Sequence, residues 1–194
     1  MTDRDPNKLH EKVERFIPVD GRDSLTVDAE LNEFIFDNCE IIFKPESRFF
    51  CLTDLARDNY PQYFVVMQGR FKRDFVDFAD QHYRDLIDSK TLEMRIDFGH
   101  TSPNWHDVIS LGFVGLKQRV EKYARIHHGD PEKERFFSAA LKVYNAAERF
   151  MMRVADKAEA EGRDEIATGL RNLLVAPPSN LFEGFQMLLL CPSQ

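Results

Sequence analysis

The sequence predicts a mainly α-helical chain with at most one or two short strands. Two observations carry this. Apolar residues recur at steps of three and four over most of the stretch from Pro61 to Val175, the spacing that gathers them on one face of a helix. Asp-Pro or Ser-Pro pairs and single glycines stand where such stretches begin and end. The 194 residues fit one domain and can bury a real core. With 33 Asp plus Glu against 26 Lys plus Arg, the net charge is -7. That argues against nucleic acid or an anionic membrane as the main partner, since both demand a basic surface.

The elements follow in order. Asp5 and Pro6 supply an N-cap and a first-turn proline for a short helix to about Phe16. Thr26 is placed to cap a second helix to about Asn38, with Leu31, Phe34 and Ile35 on one face. Residues 40–52 form the best strand candidate, interrupted by Pro45. From Pro61 to Asp88, the set Phe64, Met67, Phe71, Phe75, Phe78, His82 and Leu86 predicts one long amphipathic helix. Ser102 and Pro103 open the next helix. Its stripe is Trp105, Val108, Ile109, Gly112, Leu116, Val120 and Tyr123, and it runs to about His127. Gly129 ends it, and Asp130 with Pro131 starts another that carries Phe137, Leu141, Tyr144, Met151, Val154 and Ala158 to about Glu161. A shorter helix spans Asp164 to about Val175. Asn180 with Glu183 resembles a capping box for a final apolar helix.

Reactive chemistry is sparse. His100, His106, His127 and His128 include no pair at the i, i+4 spacing that puts two ligands on one helix face, and no cysteine joins them. No metal is expected, and His127 with His128 reads as the end of a helix, where an imidazole favours the dipole. Cys39, Cys51 and Cys191 are widely spaced. An odd count without a leader-like N-terminus points to a reducing cytoplasm. The 17 phenylalanines fall at helical spacing and read as core. No Gly-rich phosphate loop, GxSxG elbow or HExxH occurs. The apolar run at 187–191 is too short to span a membrane.

Two stretches are less generic. One is DFGHTSPNWHDVISLGFVGL at 97–116. The other joins the long helix from residue 131 to EGRDEIATGLRNLLVAPPSNLFEGFQ. Gly99, His100, Thr101, Pro103, Trp105, Gly112, Gly115 and Leu116 carry the first pattern. Phe136, Phe137, Ala139, Ala140, Tyr144, Ala155, Ala158, Pro177, Pro178, Phe182, Glu183 and Gln186 carry the second. In order and spacing over about 97–190, they resemble the pyruvate formate-lyase-like glycyl radical enzymes. Residues 1–96 match less clearly.

The resemblance implies that 1–194 is the N-terminal part of a pyruvate formate-lyase-like domain, the helical wrapping of a ten-stranded α/β barrel. It also implies radical cleavage of C–C or C–X bonds in a lyase or dehydratase. That chemistry uses a glycyl radical installed by a separate radical S-adenosylmethionine activase, together with a catalytic cysteine. The sequence has no RVxGY-like loop, and none of its cysteines sits in the family's catalytic context, so no catalytic residue is carried over. His100 is the one candidate substrate-binding residue, because that segment lies near the pocket in some relatives. Its competing role, and the one the residues favour, is to hold the turn by bonding a backbone carbonyl.

The final stretch, RNLLVAPPSNLFEGFQMLLLCPSQ, reads as a helix, a double-proline corner and the start of a buried helix. The first expectation is therefore the opening part of a larger enzyme, inactive alone and partnered by the remainder of that enzyme. The alternatives are a standalone helical interaction or scaffold protein derived from the family, and an unrelated small enzyme. The 181–191 segment would expose Phe182, Phe185, Leu188 and Leu189 unless it folds back, which predicts docking or self-association through it.

Overall fold

The computed structural model describes residues 23–51, 80–92 and 103–190. Among the described residues all regular structure is helical: α1 (Ser24–Asn38), α2 (Gln81–Asp88), α3 (Trp105–Ile126), α4 (Pro131–Ala160), α5 (Asp164–Val175) and α6 (Leu181–Leu190). The expected helix over 5–16 lies outside the described residues.

The 30-residue α4 is the axis of the molecule, and α1, α3 and α5 pack along it. Its start is strongly specified. Gly129 takes φ 95° at the preceding turn. The Asp130 carboxylate accepts from the Lys133 N–H, and Pro131 occupies the first turn, where its missing N–H costs nothing. Further along, Phe150, Met151, Val154, Ala155 and Ala158 are buried against Ile166, Ala167, Leu170 and Leu173 of α5. The alanines let α5 approach closely, while the Phe150 ring stacks on Phe36 at 5.2 Å and meets Phe50 edge-on at 5.9 Å. Burying each large side chain of this kind stabilises the fold by about 1.5–3 kcal/mol.

Several boundaries differ from the sequence expectation. The α1 cap is Asp23, not Thr26. The Asp23 carboxylate accepts from both the N–H and the hydroxyl of Thr26, satisfying a first-turn donor. The predicted helix over 61–88 is interrupted at Asp80. That residue is extended (φ -65°, ψ 168°), and its carboxylate caps α2 through the Tyr83 N–H; residues 61–79 lie outside the described residues. Asn104, rather than Ser102 and Pro103, caps α3. Tyr123, placed on the buried stripe by its spacing, is exposed. Its ring lies near-parallel to His127 and Phe137, at 6.2 and 6.5 Å.

The strand candidate is the clearest correction. Described residues 40–51 form no strand. They run as an irregular segment with a turn at Pro45 and Glu46. No sheet partner satisfies this backbone; side chains do. Arg163 donates to the carbonyls of Ser47 (2.9 Å) and Lys44 (3.1 Å), with its guanidinium 5.1 Å over the Phe43 ring. Arg153 donates to the carbonyls of Phe36 and Cys39 at the C-terminal end of α1. Apolar Ile41, Phe43 and Phe50 still face the core, so the β-like composition was a packing signal without a ladder. Among the described residues no helix is long and apolar enough to cross a membrane.

Candidate functional site

The double-proline corner and α6 hold the most organised polar chemistry among the described residues. Helix α5 ends at Ala176, which is extended (φ -147°, ψ 159°) as expected before Pro177. The corner then passes against α3 at Gly112. This glycine sits inside α3 with φ 62° and ψ -176°, kinking it. A Cβ there would stand 2.7 Å from the Pro177 Cα. Both the left-handed φ and the close approach exclude a side chain. Gly112 is therefore the contact point of α3 with the corner.

Glu183 lies one turn into α6 and is 3% exposed. Its Oε2 accepts from the backbone N–H (2.7 Å) and hydroxyl (2.8 Å) of Ser179. Its Oε1 accepts from Asn172 Nδ2 on α5 (2.8 Å). Its own N–H donates to Asn180 Oδ1 at 2.9 Å. The capping box expected at Asn180 and Glu183 is thus shifted, because the carboxylate reaches back to Ser179 rather than to the Asn180 N–H. Burial pushes the Glu183 carboxyl up, but the donors from Asn172, Ser179 and Asn180 outweigh it and hold the group below its ordinary value. Glu183 is a buried anion whose hydrogen bonds stitch α5, the corner and α6 together.

One turn later Gln186 is fully buried. Its Oε1 accepts from the Phe50 N–H (3.0 Å) and its Nε2 donates to the Phe50 carbonyl (2.8 Å). A primary amide side chain has the same donor–acceptor pair as a peptide group. Gln186 therefore stands in for a neighbouring strand at one residue of the 40–51 segment. On the outside, Phe49 stacks on Phe182 at 4.8 Å, and Arg48 reaches Glu165 through two hydrogen bonds of 2.9 and 3.2 Å. The final helix folds back far enough to bury Met187 and half-bury Phe182, Leu188 and Leu189, while Leu181 and Phe185 stay exposed.

Reactive groups are not gathered here. His100, the sequence candidate for substrate contact, and Cys191 lie outside the described residues. His127 is stacked on Phe137 at 5.8 Å with planes 2° apart, and His128 Nδ1 stands 2.7 Å from Glu134. Cys39 is buried, and burial pushes its thiol up, with partial compensation from Arg153. That keeps it protonated and a poor nucleophile. The six described glycines lie in helices or at helix ends. The described cysteines and glycines do not fit a radical relay. Among the described residues no group of three His, Cys, Asp or Glu is placed to hold a metal ion.

The family model described as pyruvate formate lyase-like matches residues 64–193, more than half of the chain. The chain belongs to the pyruvate formate lyase-like family. Gly112, Pro177, Phe182, Glu183 and Gln186 all fall within this match, and they are the residues that converge at the corner. A solved structure described for 1,2-propanediol dehydration in Roseburia inulinivorans shares the fold. The TM-score is 0.72 at 16% identity, with 97% of this chain covered. The chain spans 30% of the length of that relative. No curated protein is a significant match.

Sequence reasoning missed Phe50, Asn172, Ser179, Arg153 and Arg163 as members of this network. The available signal was Glu183 and Gln186 themselves. Two polar residues at i and i+3 in the otherwise apolar LFEGFQMLLL share a helix face, and buried polar groups require partners.

Proposed function

We propose that this pyruvate formate lyase-like chain is the N-terminal, mainly helical part of a glycyl radical enzyme and serves as scaffold. The catalytic cysteine and radical glycine are supplied by the remainder of that enzyme. One observation supports this: a packing lock whose members, apart from Phe50, lie within the family match (Gly112 against Pro177, Glu183 on Ser179 and Asn172, Gln186 on Phe50). In this reading residues 1–194 work as one unit in an anaerobic, cytoplasmic lyase or dehydratase. A radical S-adenosylmethionine activase acts on the remainder of that enzyme, and this chain contributes neither the radical glycine nor the catalytic cysteine. His100 is its candidate contact to substrate.

The test is anaerobic reconstitution of the purified chain with the polypeptide carrying the rest of the domain and with the activase. The expected result is a glycyl radical signal in the partner, and turnover in the assembled sample only. Turnover by the chain alone would sink the proposal. In the assembled enzyme His100→Ala raises KM if His100 touches substrate, whereas an unchanged KM removes that role. A second reading, self-association through 181–191, is favoured by the exposure of Leu181 and Phe185. It predicts a lower oligomeric state on deletion of 181–194.

A further inference from the structure

We draw no further inference here: the strongest candidate, the aromatic cluster of Tyr123, His127, Phe136 and Phe137 where α3 turns into α4, is an apolar patch with Tyr123 and Phe136 exposed, and nothing in the structure shows what covers it.

Discussion

The seam between α1 and α4 and the corner between α5 and α6 are both rich in polar contacts, and they do different things. At the seam, Arg149 bridges Glu33 and Asp37 at 3.0 and 2.9 Å with its side chain 46% exposed. Water is an adequate substitute for each partner, so such pairs add little. At the corner, Glu183 and Gln186 are sealed from water, and each of their side-chain oxygens has a partner within the chain. Removing one member there leaves a buried donor or acceptor with nothing to bind. The corner therefore sets a packing requirement, whereas the seam is solvated electrostatics.

Mutations should separate the two regions by size of effect. Gly112→Ala is the most severe, because it combines a strained φ with a contact against the Pro177 backbone. We expect a loss of about 3 kcal/mol or more in chemical denaturation, and a loss under 1 kcal/mol would mean that α3 and the corner can part. Gln186→Leu keeps the volume roughly constant but strands the N–H and carbonyl of Phe50. It should cost about 2–3 kcal/mol and strip exchange protection from the Phe50 amide. Persistent protection would show that another group holds the 40–51 segment.

Glu183→Gln should cost about 2 kcal/mol at neutral pH, since an amide cannot accept on both sides as the carboxylate does. The folded-state pKa of Glu183 is held below its ordinary value, so the wild-type contribution is present above the unfolded-state pKa and is lost as pH falls through the folded-state pKa. The variant should therefore show a flatter acid limb in a stability–pH profile, and identical limbs would remove Glu183 as its source. Arg149→Ala belongs at the bottom of the series, at no more than about 1 kcal/mol and smaller still in high salt. A larger, salt-independent loss would mean that the seam is more than a solvated contact.

Helices with punctuated ends were legible in the sequence. Asp130–Pro131 fixed the start of α4, and α5 runs over Asp164–Val175 as its pattern predicts. These signals are local, because a cap and a proline act on their own turn. The 40–51 segment was not legible as what it is. Ile41, Phe43 and Phe50 have strand-like composition, and what decides their conformation is a glutamine far along the chain and two arginines on α4 and the turn after it. Nor could helical periodicity foresee that α3 would kink at Gly112, where Pro177 approaches from the corner after α5. Gly112, Pro177, Glu183 and Gln186 were visible one by one through the family resemblance, and their partners Asn172, Ser179 and Phe50 were not. Their common purpose became visible only when the fold brought them together.

The central claim is that the family-matched corner of this chain supports a catalytic centre without belonging to it. It is tested most directly by Glu183→Gln in the assembled, radical-loaded enzyme, measuring melting temperature and turnover per radical side by side. The account predicts a lower melting temperature with turnover per radical unchanged. An unchanged melting temperature with turnover reduced about tenfold or more would contradict it.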